Sequence, residues 1–252
     1  MPTRQKILVF DSGLGGLTVF REIRKVRPDA DFLYLGDDAL FPYGALAPEA
    51  LVARVQTVIG EALAGFPADA IVIACNTAST LVLPPLRARH AMPIIGTVPA
   101  IKPAAAVTES GMISVLATPG TVSRDYTAEL IRDFAQGVVV KLVGSKALAG
   151  HAERALRGEA VPDEAVAAEI APCFVEAEGR RTDVVVLACT HYPLLLDRLK
   201  ALAPWPVQWI DPAPAIARRV VQVLGECSLD SPGSARMAMT AGNPPEALLD
   251  AA

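Results

Sequence analysis

The same short pattern occurs twice in this chain, and its two copies limit what the chain can fold into. In the first half, Ala70-Ile71-Val72-Ile73 runs into Ala74-Cys75-Asn76-Thr77-Ala78-Ser79. In the second, Val184-Val185-Val186-Leu187 runs into Ala188-Cys189-Thr190-His191-Tyr192-Pro193. A short run of β-branched and aliphatic residues with no polar alternation reads as a strand buried on both faces, as in a parallel sheet covered by helices. Each run stops at Ala-Cys followed by small polar residues, so each cysteine falls where a strand ends and a loop begins. In open parallel sheets ligands bind beyond the carboxyl ends of the strands. A lone cysteine is most often a small core residue. Two at the same point of two similar strand-loop units, each followed by hydrogen-bonding side chains, are hard to explain by packing. The pair predicts one site between two matching halves.

The rest of the chain reads as two copies of one architecture. Lys6 to Phe10 is a buried strand ending in Asp11-Ser12-Gly13-Leu14-Gly15-Gly16, and a helix through Phe20, Ile23 and Val26 follows. The glycines would let the backbone turn tightly and approach a ligand. The stretch is neither GxGxxG nor a Walker loop, so a nucleotide gains no support, while a small carboxylate at the helix start does. Asp31 to Gly36 reads as a strand, Asp37 to Gly44 as a turn-rich loop, and Leu51 to Leu63 as a packing helix. After the Cys75 strand come a helix around Leu81 to Arg89 and a strand at Pro93 to Gly96. The pattern restarts at Thr97-Val98-Pro99. Met112 to Ala117 is a strand ending in Thr118-Pro119-Gly120-Thr121, then a helix carries Tyr126 and Phe134, and Val138 to Val143 is the next strand. Ser145 to Gly158 carries His151 and Glu153. Val166, Ile170, Cys173, Phe174 and Ala177 form an apolar stripe, and a helix through Leu194, Leu195, Leu199 and Leu202 follows the Cys189 strand. A final helix carries Ile216, Val220, Val223 and Leu224, and Cys227 continues its stripe. This places Cys173 and Cys227 in packing roles, and His90 between Arg89 and Ala91 toward solvent. A short strand at Arg236 to Thr240, within the tail 231–252, packs back on the first half.

The fold class expected is α/β: two pseudosymmetric, doubly wound domains with mainly parallel sheets and the active site at their interface. The domains expected are 1–98 plus 209–252, carrying Asp11 and Cys75, and 99–208, carrying Cys189 and His191. Composition agrees, with 52% hydrophobic but only 5% aromatic residues, as for a core filled by aliphatic layers. Lys and Arg (23) nearly balance Asp and Glu (27), and no basic run occurs, which argues against a nucleic-acid partner. No apolar stretch reaches the roughly 18 residues a membrane span needs, and no apolar signal region precedes the first strand. A cytoplasmic protein is expected, with its four cysteines as thiols.

Two thiols can address both faces of one tetrahedral carbon. One, as thiolate, removes a proton, and the other, as thiol, returns one from the opposite side and inverts the centre. Reacting atoms lie about 3 to 3.5 Å apart, so the two sulfurs should sit roughly 7 Å from each other. A free thiol has a pKa near 8.5, so each needs a helper. Asp11 could serve Cys75, and His191 could serve Cys189.

Phe10-Asp11-Ser12-Gly13-Leu14-Gly15-Gly16, Pro42-Tyr43-Gly44, Ala74-Cys75-Asn76-Thr77 and Ala188-Cys189-Thr190-His191-Tyr192-Pro193, in this order and spacing, resemble the glutamate racemases. The resemblance runs from about Ile7 to about Asp211. It implies a cofactor-independent two-base racemase interconverting L- and D-glutamate for peptidoglycan, acting as a homodimer. By position, Cys75 would take the α-proton from D-glutamate with Asp11 assisting, and Cys189 from L-glutamate with His191 and Glu153 assisting. The substrate would be held by Asp11, Ser12, Tyr43, Gly44, Asn76, Thr77, Thr190 and His191, with Thr118 and Thr121 nearby. Before Glu153, Ser145-Lys146 stands where the family has Cys-Pro, and the tail after Asp211 is short for the family.

Aspartate and hydantoin racemases share the paired cysteines, although the Asp-Ser-Gly start and Cys-Thr-His-Tyr-Pro favour glutamate. A cysteine hydrolase built on Cys189 and His191 leaves Cys75 and the duplication unexplained. A non-catalytic amino-acid binding module would not need two thiols. A metal site lacks local ligand pairs, and pyridoxal phosphate lacks a strand-end lysine.

Overall fold

The computed structural model describes residues 4–242, 244–245 and 247–250. Residues 1–3 of the N-terminal run and 243, 246, 251 and 252 of the tail lie outside the described residues. In chain order the strands are β1 (Lys6–Asp11), β2 (Asp31–Gly36), β3 (Ala70–Ile73), β4 (Ile94–Gly96), β5 (Met112–Ala117), β6 (Val139–Gly144), β7 (Glu176–Ala177), β8 (Arg180–Arg181), β9 (Val184–Ala188), β10 (Gln208–Ile210) and β11 (Ala235–Met239). They fall into two compact units, one made of the chain up to Thr97 together with the chain from Ala213 on, the other of Val98–Pro212.

The first unit is built on a parallel sheet ordered β11-β2-β1-β3-β4. The second is built on a parallel sheet ordered β10-β9-β5-β6, with β7 and β8 as a separate antiparallel pair. The internal repeat is visible in these orders. In each sheet the unit's first strand has the next on one side and the cysteine-bearing strand on the other, so the chain reverses direction beside the first strand. The crevice at such a switch point is where doubly wound sheets bind ligands. In the first unit it lies between the ends of β1 and β3, which carry Asp11 and Cys75, with Phe10 in register with Ile73. In the second it lies between the ends of β5 and β9, which carry Thr118 and Cys189, with Ala117 in register with Ala188.

The cores follow the apolar runs. Leu8, Phe10, Ile71 and Ile73 pack with Val55, Ile59 and Val82 from the helices Pro48–Gly65 and Asn76–Arg89. In the second unit Ile113, Val115, Val184 and Val186 pack with Ile101 and Ala104. β10 pairs with β9, so residues 209–212 belong with the second unit.

Several local expectations are corrected. The helix expected near Leu81 begins at Asn76. Asn, Thr and Ser are poor interior helix formers because their side chains compete for backbone groups. Here that competition is satisfied in place: Ser79 Oγ donates to the Ile73 carbonyl at 3.1 Å and Thr80 Oγ1 to that of Thr77 at 2.8 Å. The apolar stripe from Val166 is broken at Ile170, where the helix Asp163–Ile170 gives way to a single tight turn, and Ala177 is exposed in the hairpin. Cys173 is buried in the core, and burial pushes its thiol up to about 12. Cys227 is not in a packing position. The helix Ala213–Leu224 ends, Gly225 turns at φ +85°, and the thiol is left exposed. His90 is half-buried, with its Nε2 enclosed and unpartnered, and desolvation, aided by Arg89, lowers its pKa.

Candidate active site

Asp11 ends β1 and is fully buried, and its Oδ2 accepts the Gly13 N–H at 3.1 Å. The Tyr34 hydroxyl donates to the Gly13 carbonyl at 2.7 Å and pins the turn from the next strand. The glycines act here through space more than through conformation. None of Gly13, Gly15 and Gly16 has a positive φ, but a Cβ on Gly16 would lie 2.5 Å from the Asp11 Cβ. Any side chain there would push Asp11 out of place.

Cys75 occupies the N-cap of the helix Asn76–Arg89, and its sulfur accepts the Ala78 N–H at 3.4 Å. A thiol at this position faces the positive end of the helix, which favours the thiolate. The Ser12 hydroxyl lies 3.7 Å from the sulfur. The structure therefore brings Ser12 and Cys75 into contact, with Asp11 at the end of the adjacent strand. Thr77 is buried one residue beyond Asn76.

Asn76 is 1% exposed, and neither its Nδ2 nor its Oδ1 has a partner. A buried amide left unpaired costs about 1–3 kcal/mol. Such a cost is explained when the group is kept for a ligand that needs a donor and an acceptor at that point.

Tyr43 and Gly44 lie in a single tight turn, Tyr43–Ala45, with Tyr43 buried and Gly44 half-buried. The Tyr43 hydroxyl donates to Asp37 Oδ2. Burial, then Asp37 and the nearby Cys75, push the phenol far above its ordinary value, so it stays protonated.

In the second unit Cys189, His191 and Glu153 lie next to one another. Cys189 Sγ is 3.8 Å from His191 Nδ1, and His191 Nε2 is 2.9 Å from Glu153 Oε1. All three are buried. With Glu153 ionised, its carboxylate holds the proton on Nε2, which leaves Nδ1 able to take the thiol's proton. Thr190 Oγ1 is 3.5 Å from the same nitrogen. Glu153 is carried on the helix Leu148–Leu156, and Arg157 approaches its other oxygen at 3.5 Å. Ser145 accepts the Leu148 N–H at 3.1 Å and donates to Glu169. Its hydroxyl thus fixes the start of the Glu153 helix. Thr118 caps the turn Pro119–Val122, its Oγ1 accepting the Thr121 N–H at 3.3 Å and lying 3.1 Å from the Thr121 hydroxyl. His151 is half-buried on the Glu153 helix.

Sequence reasoning missed Asp37, Arg54 and Thr240 around Tyr43, and Glu169 behind Ser145. Asp37 had a signal: it is a carboxylate just past a strand end, like Asp11. Arg54 and Thr240 had none, since one is a helix arginine and the other lies far along the chain. Among the described residues no group of His, Cys, Asp and Glu could hold a metal ion, and no helix is long and apolar enough to cross a membrane.

The sequence pattern defining the Asp/Glu/Hydantoin racemases matches residues 18–220. The chain belongs to that family. Among similar sequences, the glutamate racemase of Brucella canis is 58% identical to this racemase over 219 residues, covering 86% of this chain and 79% of that one. Among solved structures, Escherichia coli glutamate racemase, in complex with L-glutamate and the activator UDP-MurNAc-Ala, superimposes with a TM-score of 0.88 at 39% identity, covering 98% of this racemase and 93% of that chain. A glutamate racemase isoform from Bacillus anthracis gives 0.80 at 31% identity, covering 94% and 89%.

Proposed function

We propose that this racemase interconverts L- and D-glutamate by proton transfer between two cysteines, using no cofactor, and that it supplies D-glutamate for cell-wall peptidoglycan from the cytoplasm. The observation that carries the reading is that two equivalent strand ends each hold a buried thiol, Cys75 at a helix N-terminus and Cys189 beside the His191–Glu153 pair.

In this mechanism Cys189, as thiolate, takes the α-proton of L-glutamate, and the electron pair left on the α-carbon takes the proton of the Cys75 thiol from the other face. D-glutamate leaves with Cys75 as thiolate and Cys189 as thiol, which is the form that accepts D-glutamate. Return to the starting form needs only proton exchange with water. His191 removes the proton from Cys189 between turnovers, and Glu153 stabilises the imidazolium while it forms. Each such general acid-base step is worth on the order of 10²- to 10⁴-fold. Asn76 and Thr77, with Ser12, Tyr43 and Gly44, would hold the substrate on the Cys75 side, and Thr190, Thr118 and Thr121 on the Cys189 side. Asn76 is the group whose unpaired donor and acceptor best match a carboxylate beside an ammonium. The protein is expected to act as a homodimer.

The reading is tested by following optical rotation with L- and D-glutamate, L-aspartate and a 5-substituted hydantoin, with no added cofactor. Decay to zero from either glutamate enantiomer alone supports it. Decay with aspartate or the hydantoin but not glutamate would keep the chemistry and move the substrate.

A further inference from the structure

We propose that Asp37, with Arg54 and Thr240, is a positioning set that holds Tyr43, and with it the Pro42-Tyr43-Gly44 turn, in the arrangement that binds glutamate. It makes the last strand of the chain part of the first unit's site. The proposal rests on the glutamate reading above and names a support for it that lies outside the substrate contacts.

Asp37 follows β2 and is fully buried. Its N–H donates to the Asp11 carbonyl at 2.9 Å, tying it to the end of β1. Its two carboxylate oxygens accept four hydrogen bonds. Oδ1 accepts Arg54 Nη2 at 2.6 Å and the Thr240 hydroxyl at 2.6 Å, and Oδ2 accepts Arg54 Nε at 2.9 Å and the Tyr43 hydroxyl. Burial pushes this carboxyl up, but the bonds from Arg54, Thr240 and Tyr43 outweigh it and hold it below its ordinary value. Only a carboxylate has the capacity and the charge for this role, because an amide would offer one accepting oxygen and leave the Arg54 guanidinium unpaired.

Thr240 is itself held. Its N–H donates to the Gly36 carbonyl at 3.0 Å, its hydroxyl oxygen accepts the Ala39 N–H at 3.2 Å, and the next N–H, of Ala241, reaches Asp38 Oδ1 at 2.8 Å. Met239 fills the space over Gly36, where a Cβ would meet its sulfur at 2.5 Å. The end of β11 is thus joined to the loop between β2 and Tyr43 by backbone, side chain and packing together. The Tyr43 hydroxyl donates its single hydrogen bond to Asp37, so its position depends on a group outside the proposed substrate contacts.

The test is a double-mutant cycle on the full chain with Asp37→Asn, Tyr43→Phe and both, beside Thr240→Val. Asp37→Asn should raise the KM for glutamate about tenfold while kcat changes less than about threefold, as expected for losing one charge-assisted hydrogen bond. Thr240→Val should raise KM by a smaller factor. In the Tyr43→Phe background, Asp37→Asn should add less than about twofold, because its route to the substrate is already gone. An equal rise in KM in both backgrounds, or a fall in kcat at unchanged KM, would overturn the proposal. Failure of the glutamate reading shows differently, as a wild-type protein inactive on glutamate. In that case tyrosine labelled with 13C at Cζ decides the matter: the Tyr43 resonance must move in both Asp37→Asn and Thr240→Val, and an unmoved resonance rejects the positioning set.

Discussion

The two cysteines occupy equivalent positions on equivalent sheets, yet their surroundings solve the same problem in opposite ways. Cys75 faces the start of a 14-residue helix and takes a backbone N–H, so its thiolate is favoured by groups that carry no titrating proton. Cys189 is followed by a single tight turn, and its neighbour is an imidazole backed by a carboxylate. In the proposed reaction one end would use a fixed dipole, the other a proton carrier. The difference teaches that a duplicated fold preserves where a reactive group sits more firmly than how it is activated. The strand end is set by sheet topology, whereas the helper is set by what happens to follow it.

The comparison breaks first at the thiols themselves. Cys75→Ser and Cys189→Ser should each lower kcat/KM on the order of 10³-fold or more in both directions, since a serine hydroxyl is a far weaker acid than a thiol. Full activity in either variant would remove that cysteine from the mechanism.

The next largest effect should distinguish the helpers. His191→Asn should cost on the order of 10²-fold, and Glu153→Gln less. Because the enantiomers are equal in energy, kcat/KM must fall equally in the two directions. The asymmetry appears elsewhere: the primary isotope effect with α-deuterated L-glutamate should rise in His191→Asn more than that with the D-enantiomer. Equal rises would mean that His191 does not act through Cys189.

Most of the fold was legible because parallel strands buried on both faces leave apolar runs, continuous in β1, β3 and β9 and broken only by Ser114 in β5. The Cys75 end was legible for a different reason, since its groups follow one another along the chain or end the adjacent strand. The helix start at Asn76 was missed because residues 76–79 carry turn-forming side chains, and only the tertiary partners that satisfy them reveal a helix. Cys227 was misplaced because periodicity continues on paper past Gly225, where the backbone turns away. Asp37's partners could not be read, since Thr240 lies 203 residues along the chain and Arg54 is a helix arginine with no local pattern tying it to the loop. Glu153 came from resemblance alone, because its contact with His191 joins residues 38 positions apart and leaves no local pattern.

A subtler asymmetry concerns Asn76, whose unpaired amide has no counterpart in the second unit's substrate set. Asn76→Leu should raise the KM for glutamate at least tenfold while leaving the unliganded protein as stable or up to about 1 kcal/mol more stable, because a buried unpaired amide is replaced by an apolar group of similar shape. Thermal unfolding with and without glutamate reads both. A clear loss of stability would show that the amide is satisfied in the free protein.

The smallest effect is on acid stability. In the second unit, burial pushes the Asp183 carboxyl up, but the Thr108 hydroxyl and the N–H groups of Ser110 and Glu109 outweigh it and lower its pKa. A carboxyl lowered on folding stabilises the protein fully above its ordinary value of 3.8, and this contribution fades as the pH falls through the lowered folded value. Asp183→Asn should therefore reduce stability near neutral pH and flatten the loss below about pH 4. An acid-unfolding curve parallel to that of the wild type would reject this.

The central claim is that two separate bases serve opposite faces of one carbon, and racemisation in heavy water tests it most directly. Starting from protiated L-glutamate, two bases predict deuterium in the D-product while the remaining L-substrate stays protiated, so the optical rotation crosses zero and overshoots before it decays. Deuterium entering both enantiomers equally from the earliest times, with no overshoot, would mean that a single base serves both faces and would contradict the account.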